Sequence, residues 1–362
     1  MKYDFLIVGS GLFGAVMAQR LSDNGAKVLV IEKRSHLGGN VYTEEKHGIH
    51  VHKYGPHIFH TSNENVWEYV NRFANFNNYE HRVLANYKGE LFPLPFTLKT
   101  FNHLWGCETE QEARQIIAKQ TVNIKEPNNV EEWVLAKLGT DIYEKLVYGY
   151  TKKQWMREPR DICSSVIKRL PIRFDFDDRY LEDKYQGIPE NGYTSLVENL
   201  LDGVQVNLEE DFFEIANWKS IASALIYTGS LDTFFKYKYG ELEYLSLKFE
   251  EELLKGQYQT VAQVNFTDEN TPHTRVIEHK HFNNLDNDLT VITREFPSKW
   301  SRNKPSYYPI NDNKNNLLYQ KYKQEIDKED DIYIGGRLAT YRYLDMDQVI
   351  SQALHLSKLL IN

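Results

Sequence analysis

The feature that most constrains this chain is the run DFLIVGSGLFG, residues 4–14, in which a short apolar segment leads directly into three glycines spaced G-x-G-x-x-G. Residues 4–8 and 27–32 read as buried parallel strands with a helix between them. In such a βαβ unit the glycines allow a tight turn, the close approach of a pyrophosphate and the packing of helix on strand. The run therefore predicts a Rossmann-like domain that binds a dinucleotide. The residues predicted to contact it here are Gly9, Gly11, Phe13 and Gly14.

The acid at the end of the second strand narrows the choice of dinucleotide. Glu32 stands where a carboxylate binds the ribose hydroxyls of adenosine, and it disfavours the 2′-phosphate of NADP. Further glycine pairs in KRSHLGGN (33–40) and YIGGR (333–337) indicate backbone packing against a long, extended cofactor. This pattern favours FAD over NAD, because FAD-binding chains often use both ends of the sequence.

Composition excludes several classes of protein. The 362 residues carry a formal net charge of −8, which disfavours a protein that coats nucleic acid or an anionic membrane. Cys107 and Cys163 lack C-x-x-C spacing, so we expect no disulfide scaffold, redox dithiol or cysteine-ligated zinc. No segment has the roughly 20 apolar residues of a membrane span, and nothing frames the N-terminal run as a signal peptide. We expect a cytoplasmic protein.

Changes of pattern along the chain predict domains built from separate segments. Residues 98–150 read as short amphipathic helices, whereas the alternation in YLSLKF (244–249) and LTVITREF (289–296) is typical of an antiparallel sheet. The predicted fold class is therefore α/β plus α plus antiparallel β. The predicted domains are a Rossmann-like domain of 1–80, 193–229 and 312–362, a helical domain of 98–172, and a sheet domain of 81–97, 173–192 and 230–311.

Several longer motifs carry a resemblance to a known family. They are HKYGPHIFHT (52–61), GYTKKQW (149–155), IKRLPIRF (167–174), YQGIPENGYT (185–194), TRVIEHKHF (274–282), YYPINDN (307–313) and GGRLATYRYLDMDQVI (335–350). Together with the N-terminal glycine-rich run, they extend from the first strand to the last helix. In these motifs the chain resembles the bacterial UDP-galactopyranose mutases.

The resemblance implies an enzyme that interconverts UDP-galactopyranose and UDP-galactofuranose with no net redox change and supplies galactofuranose for cell-surface polysaccharide. It implies FAD, active as the reduced flavin, whose N5 attacks the anomeric carbon, expels UDP and forms a flavin–sugar adduct that opens and recloses as the furanose. A cellular flavin reductant is then required. The family also implies a homodimer, with the helical domain as the expected interface.

The resemblance assigns roles to individual residues. Arg169, Arg275 and His60 are expected to be catalytic, the two arginines by gripping the diphosphate, with Arg169 on a mobile loop near 165–176. The other expected cofactor contacts are Lys33, Gly39, Asn40, His57, Ile58, Arg337, Leu344, Asp345 and Met346. The expected substrate contacts are His81, Tyr150, Trp155, Arg169, Tyr180, Asn265, Arg275, Tyr308 and Tyr343.

Some residues depart from the family pattern or leave alternatives open. His81 stands where many relatives carry Asn, Met156 where glycine is common and Pro56 where alanine is common, which puts sugar preference in doubt. The pairs His57/His60 and His279/His281 have metal-like spacing but no third ligand, so no metal is expected. The rival functions are a flavin amine oxidase-like enzyme and a non-catalytic nucleotide-binding protein.

Overall fold

The architecture was analysed in a computed structural model, which describes residues 2–168 and 170–361. In chain order the strands are β1 (Tyr3–Val8), β2 (Val28–Glu32), β3 (Thr43–Lys46), β4 (Ile49–His52), β5 (Phe59–Thr61), β6 (Val83–Tyr87), β7 (Glu90–Leu94), β8 (Tyr185–Gly187), β9 (Gln205–Leu208), β10 (Ala222–Tyr227), β11 (Tyr244–Lys255), β12 (Gln263–Phe266), β13 (Arg275–Glu278), β14 (Leu289–Lys299), β15 (Tyr308–Pro309) and β16 (Ile332–Ile334).

The α-helices alternate with these strands and cluster between residues 98 and 168. They are α1 (Leu12–Asp23), α2 (Glu64–Val70), α3 (Leu98–Trp105), α4 (Glu110–Gln120), α5 (Val130–Lys137), α6 (Thr140–Ile142), α7 (Gly149–Trp155), α8 (Ser165–Lys168), α9 (Gly192–Leu200), α10 (Leu231–Phe234), α11 (Asn313–Ile326), α12 (Gly336–Ala339) and α13 (Met346–Ile361). A π-helix, Tyr143–Tyr148, joins α6 to α7. Among the described helices, none combines the length and apolarity needed to cross a bilayer.

By its contacts the chain forms two compact units, and the first contains residues 2–78, 183–244 and 306–361. Its parallel sheet has the strand order β16-β10-β1-β2-β9. Leu6 and Ile7 of the central strand are fully buried, as expected of a strand covered on both faces. Helix α1 packs against α13 and α9. The Rossmann-like prediction is confirmed.

Two small antiparallel ribbons in the first unit carry the segment between residues 43 and 61. Strands β3 and β4 form a hairpin, and β5 pairs with β8, which comes from more than a hundred residues later in the chain. Thr194, near the start of α9, holds the hairpin because it accepts a hydrogen bond from the Thr43 backbone N–H and donates one to the Thr43 carbonyl. These contacts fix the histidine-containing segment in place.

The second unit contains residues 79–182 and 245–305, and its sheet runs β11-β14-β13-β12-β6-β7. Every pairing between these strands is antiparallel except β6 with β12, which is parallel. The expected antiparallel sheet is thus extended by a hairpin, β6–β7, from an earlier part of the chain. Local alternation identifies such strands but says nothing about the direction in which they pair.

Helices and sheet strands share one apolar core in the second unit. Val83, Ala85 and Phe92 from the sheet lie in the same buried cluster as Val134 and Ile142 from the helices. The sequence predicts a helical domain of 98–172 separate from the sheet domain, whereas in the structure these helices share a core with the sheet. A short amphipathic helix has one apolar face, and so does the sheet. Packing several such helices on the sheet buries the apolar faces of both.

Candidate active site

The glycine-rich turn between β1 and α1 has the geometry of a phosphate cradle. A Cβ on Gly14 would lie 2.0 Å from the Gly9 carbonyl oxygen, so helix and strand backbones touch there. A Cβ on Gly11 would meet no described atom within 4 Å, which leaves open space over the turn. No described side chain caps the first turn of α1, which begins at Leu12. Its backbone N–H groups are therefore available to an anion.

Glu32 is held at the edge of this turn. Its Oε2 accepts hydrogen bonds from the Ser10 backbone N–H (3.0 Å) and hydroxyl (2.9 Å), while Oε1 accepts from the Arg34 backbone N–H (3.0 Å). The carboxylate is buried at the end of β2, and the neighbouring Lys33 is exposed. Each oxygen can accept more than one hydrogen bond, so Glu32 keeps capacity for a ribose hydroxyl.

The second glycine pair packs directly on the first. Gly39 has a positive φ of 55°, and a Cβ there would lie 3.1 Å from the Gly11 Cα. The Gly38 backbone N–H donates to the Ser10 carbonyl at 3.2 Å. The predicted cofactor residues of the two motifs are therefore brought together around one turn.

Arg34 is a candidate cofactor residue that the sequence reasoning missed. Its Nη2 donates to the predicted residue Asn40 at 3.0 Å, and its guanidinium lies 4.5 Å from the centre of the Tyr54 ring. Its Nη1 is buried and makes no hydrogen bond within the described residues. A buried charged donor without an acceptor is costly, so this atom points to a ligand that supplies one. The signal was an arginine two positions after Glu32.

The C-terminal glycine pair brings Arg337 to the same region. A Cβ on Gly335 would lie only 1.9 Å from the Phe13 ring, so the end of β16 presses on the start of α1. Arg337 Nε and Nη2 are buried and find no hydrogen-bond partner in the described part of the chain. The guanidinium lies 4.7 Å from the Tyr343 ring and 5.6 Å from the Tyr308 ring, and these rings stack on each other. The structure thus brings three predicted residues into one cluster.

His57 is neutral at ordinary pH. Desolvation lowers its pKa to about 4, the hydrogen bond to Gly55 opposes that shift, and the Arg337 charge adds to it. Nδ1 lies 2.8 Å from the Gly55 carbonyl oxygen and donates to it, which leaves Nε2 as an acceptor. The next residue, Ile58, is half-buried. His57 can therefore accept, but not readily donate, a hydrogen bond at Nε2.

His60 is paired with a carboxylate that the sequence reasoning did not identify. Its Nδ1 lies 2.6 Å from Asp183 Oδ2, and Asp183 Oδ1 accepts from the Ser62 hydroxyl at 2.8 Å. A carboxylate at Nδ1 fixes a proton there and turns Nε2 outward from the pair. Asp183 lies just before β8, so only the long-range β5–β8 pairing brings it to His60.

The remaining predicted cofactor residues lie at the start of α13. Leu344 and Asp345 precede the helix, and Met346 is its first residue. The Asp345 backbone N–H donates to Gln348, and the Asp347 carboxylate accepts from Thr61 Oγ1 at 2.9 Å. The start of α13 is thereby tied to β5, the strand that carries His60.

In the second unit, Arg275 is held by two neighbours. Its Nε forms an ion pair with Glu295 Oε1 at 3.2 Å, directly across the β13–β14 pairing, and its Nη2 donates to the Tyr150 hydroxyl at 3.1 Å. Glu295 is fully buried, which raises its pKa, while the Arg275 charge lowers it. Two of the predicted substrate residues, Arg275 and Tyr150, are thus in contact, and Glu295 was not predicted.

Other predicted substrate residues of this unit form two further groups. Asn265 pairs with Arg275 in the β12–β13 register, and its Oδ1 accepts from Gln263 at 2.9 Å. Tyr180 donates its backbone N–H to the His81 carbonyl at 2.8 Å, and the two rings meet edge to face. The structure gives Trp155 a half-buried position against the core, at the end of α7. Arg169 lies outside the described residues.

The second histidine pair has a structural environment. His279 Nε2 lies 2.8 Å from the Thr293 hydroxyl, and His281 Nε2 lies 3.1 Å from the buried Glu278 carboxylate. Burial raises the pKa of Glu278, but the hydrogen bond with His281 and those accepted from the Tyr258 and Gln259 backbone N–H groups outweigh it and lower that pKa to about 2. These hydrogen bonds join β13 and β14 to the connection between β11 and β12 and to the segment that follows β13.

Comparison with known proteins supports this arrangement. A family model described as UDP-galactopyranose mutase matches residues 145–343, and one described as an NAD(P)-binding Rossmann-like domain matches residues 7–73. A dTDP-fucopyranose mutase of Escherichia coli is 41% identical over 98% of this chain and 98% of its own length. A probable UDP-galactopyranose mutase of Klebsiella pneumoniae is 38% identical over 97% of this chain and 93% of its own.

The fold agrees with these sequence relationships. A crystal structure of reduced UDP-galactopyranose mutase matches with a TM-score of 0.78 over 100% of this chain and 94% of that chain, at 16% identity. At that identity the match speaks for the fold alone. Since the family model covers more than half of the chain and the relatives match it end to end, the chain belongs to the UDP-galactopyranose mutase family and is an enzyme of the isomerase class.

Proposed function

We propose that this enzyme interconverts UDP-galactopyranose and UDP-galactofuranose without net redox change. The observation that carries the proposal is the Arg275 guanidinium, oriented by Glu295 and Tyr150 within the region that the mutase family model matches. A planar guanidinium with a fixed orientation suits a diphosphate, and a protein of net charge −8 needs such a local group to hold one. The match to the Klebsiella pneumoniae protein supports the same substrate.

The cofactor in this proposal is FAD. Two features of the first unit fit it: the open space over Gly11 and the buried, unsatisfied N–H groups of Arg34 and Arg337. Arg34, Glu32 and Asn40 would hold the adenosine and pyrophosphate part, while Arg337 and His57 would lie at the flavin end. When bound and reduced, FAD would supply an electron-rich nucleophile.

The protein's own contribution is to bind and stabilise charge. Arg275, together with Arg169, binds the diphosphate and stabilises the negative charge that develops as the glycosidic C1–O bond breaks. Removing one such donor from an enzyme typically costs about 2.7–4 kcal/mol of transition-state stabilisation. We therefore expect Arg275→Lys, which keeps the charge but loses the planar fork, to lower kcat/KM about a hundredfold or more.

His60 has the geometry of a residue that moves a proton. Asp183 fixes the proton on Nδ1, so Nε2 is the atom that accepts or delivers one. Opening and reclosing a sugar ring exchanges a proton at a ring oxygen, and we assign that exchange to His60 Nε2. Tyr308 and Tyr343, stacked beside Arg337, supply hydroxyl groups and ring faces to the bound sugar nucleotide.

A second substrate is favoured by one specific observation, the 41% identity to a dTDP-fucopyranose mutase over nearly the full length of both chains. That reaction is the same ring contraction on a sugar that lacks the 6-hydroxyl, attached to a base that carries an extra methyl group. His81 departs from the usual family residue, and its position beside Tyr180 supports a difference in sugar recognition. dTDP-fucopyranose is therefore the alternative substrate.

The setting of the enzyme forms the rest of the proposal. We place it in the cytoplasm as a homodimer, dependent on a cellular flavin reductant, with a product that supplies cell-surface polysaccharide. A mobile segment near 165–176, which begins with the short helix α8 and carries Arg169, would close over the bound substrate. These statements rest on the family resemblance of the motifs in the sequence.

A chromatographic assay tests the proposal. Purified enzyme, with bound FAD quantified by its absorbance, is incubated with UDP-galactofuranose or dTDP-fucofuranose, either oxidised or reduced with dithionite. We expect conversion to the pyranose only in the reduced state, with the higher kcat/KM for the uridine substrate. A higher value for the thymidine substrate would replace the first substrate by the second. No conversion of either substrate by reduced, FAD-loaded enzyme would refute both.

A further inference from the structure

The turn that joins β12 to β13, defined as residues 266–274 with the last residue of β12 included, is bound by a lysine of helix α7. Lys153 Nζ donates hydrogen bonds to the carbonyl oxygens of Phe266 and Thr271, each at 2.9 Å, and of His273 at 3.3 Å. An ammonium group has three N–H donors, so these three carbonyls use all of them. Lys153 Nζ therefore binds carbonyl groups near both ends of the turn.

A second contact fixes the same helix on the same turn. A Cβ on Gly149 would lie 2.3 Å from the Thr267 carbonyl oxygen, so the backbones of α7 and the turn touch there. The Thr267 hydroxyl donates to the Lys145 carbonyl at 2.6 Å. Gly149 and Lys153 are one helical turn apart and share a face of α7. The turn therefore contacts α7 at two positions, Gly149 and Lys153, and contacts the preceding π-helix at Lys145.

The docked turn connects residues that the proposed function assigns to the substrate. Asn265 precedes it and Arg275 follows it, paired with each other across β12 and β13. Tyr150, adjacent to Gly149 on α7, accepts the hydrogen bond of Arg275. The position of the turn on α7 therefore helps to set the distance between the Tyr150 hydroxyl and the Arg275 guanidinium, together with the β13–β14 pairing that holds Arg275 beside Glu295.

We propose that Lys153 is a positioning residue for sugar-nucleotide binding, which holds the 266–274 turn against α7 and so keeps Arg275 and Tyr150 in register. The inference rests on the proposed function, in which Arg275 binds the diphosphate. Lys153 acts through the turn, because its three donors are already used by carbonyl groups. Its removal loosens the binding surface without removing any group that contacts the substrate.

The pH dependence of UDP binding distinguishes a positioning lysine from a purely structural one, because titration of a purely structural lysine would leave UDP affinity unchanged. Burial lowers the pKa of Lys153 to about 8, opposed by the carboxylates of Asp268 and Glu269, and His273 is the other titratable group that faces it. Above that pH a neutral amine offers two donors to three carbonyls. Affinity for UDP should therefore fall between pH 7 and 9 in the wild type and stay flat in Lys153→Met.

The chain provides a matched control in Lys280. Like the half-buried Lys153, the buried Lys280 belongs to this unit and its Nζ donates to loop carbonyls, those of Gly256 (3.0 Å) and Asn287 (3.2 Å), but it lies beyond the far end of β13. Lys280→Met should lower the melting temperature and leave UDP affinity unchanged. Lys153→Met should raise the Kd for UDP, and KM in the mutase assay, about tenfold or more, since a displacement of 1 Å can have such effects.

Calorimetric titration of the FAD-loaded enzymes with UDP tests the positioning role of Lys153. In an Arg275→Lys background Lys153→Met should add little, because both changes act on one interaction. Equal UDP affinity of wild type and Lys153→Met, or equal losses in both lysine variants, would overturn the positioning role. If Lys153→Met does not fold, a wild-type affinity that stays constant from pH 7 to 9 overturns it. Failure of the wild type to bind UDP at all would instead refute the proposed function.

Discussion

At the scale of single residues, the two arginines of the first unit are the most informative groups. Arg34 and Arg337 each bury guanidinium N–H groups that no described atom accepts. A buried donor left in this state costs about 1–3 kcal/mol, and more when it is charged. A ligand with phosphate or carbonyl oxygens would satisfy these groups, so its binding should stabilise the protein strongly as well as equip it for catalysis.

His57 gives a prediction at the same scale. Its pKa of about 4 in the folded protein lies below the ordinary 6.5, so between these values the unfolded chain binds a proton that the folded chain does not. Stability from this residue is full above pH 6.5 and is lost as the pH falls towards 4. Urea unfolding at pH 7.5 and 4.5 should therefore show a loss up to about 2.5 kcal/mol larger in the wild type than in His57→Asn. Equal losses in the two proteins would contradict a neutral imidazole at His57.

Individual residues also show which parts of the candidate site could be predicted from the sequence and which could not. Arg275 and Tyr150 were predicted from their motifs, and the structure brings them into contact. Glu295 and Asp183 were not predicted, because each reaches its partner only through strand pairing between distant segments. A carboxylate that orients an arginine or a histidine leaves no local sequence signal, since its position depends on the register of the sheet.

At the scale of elements, two glycines of the turn between β1 and α1 should have different roles: Gly11 in cofactor binding and Gly14 in folding. Gly11→Ala places a methyl group in open space, with φ at −67°, so the fold should change in stability by less than about 0.5 kcal/mol. The same methyl group occupies the cradle, so FAD bound per polypeptide, measured by absorbance after gel filtration, should fall sharply. Gly14→Ala is the contrasting variant: its methyl group meets backbone at 2.0 Å and should prevent normal folding. Full FAD occupancy in Gly11→Ala would show that the cofactor does not approach this turn.

The strands of the second unit show the corresponding limit for elements. Alternation along 244–249 and 289–296 located β11 and β14, and their pairing is antiparallel as expected. The parallel pairing of β6 with β12 joins segments about 180 residues apart, and neither segment has a pattern that indicates a parallel neighbour. Helix positions within 98–150 were likewise predictable, whereas their common core with the sheet required the tertiary structure.

At the scale of the whole molecule, the residues proposed for the cofactor and those proposed around the diphosphate belong to different units. The cofactor residues belong to the first unit, and Arg275, Tyr150 and Asn265 belong to the second. Hydrogen exchange measured by mass spectrometry should therefore show that removal of FAD increases exchange mainly in peptides from 2–78 and 306–361. Addition of UDP to the FAD-loaded enzyme should protect peptides from 145–155 and 263–276. Protection by UDP confined to the first unit would argue against Arg275 as the diphosphate-binding residue.

The position of β1 in its sheet has a consequence for how the chain is made. β1 is central, between β2 and β10, yet β10 begins at Ala222. At about 5–20 residues per second, a ribosome needs roughly 10–40 seconds to extend the chain from Val8 to that strand. Throughout this interval one edge of a largely apolar strand has no partner and can pair with another nascent chain. The yield of active enzyme in a cell should therefore depend on chaperones that protect this unfinished sheet during translation.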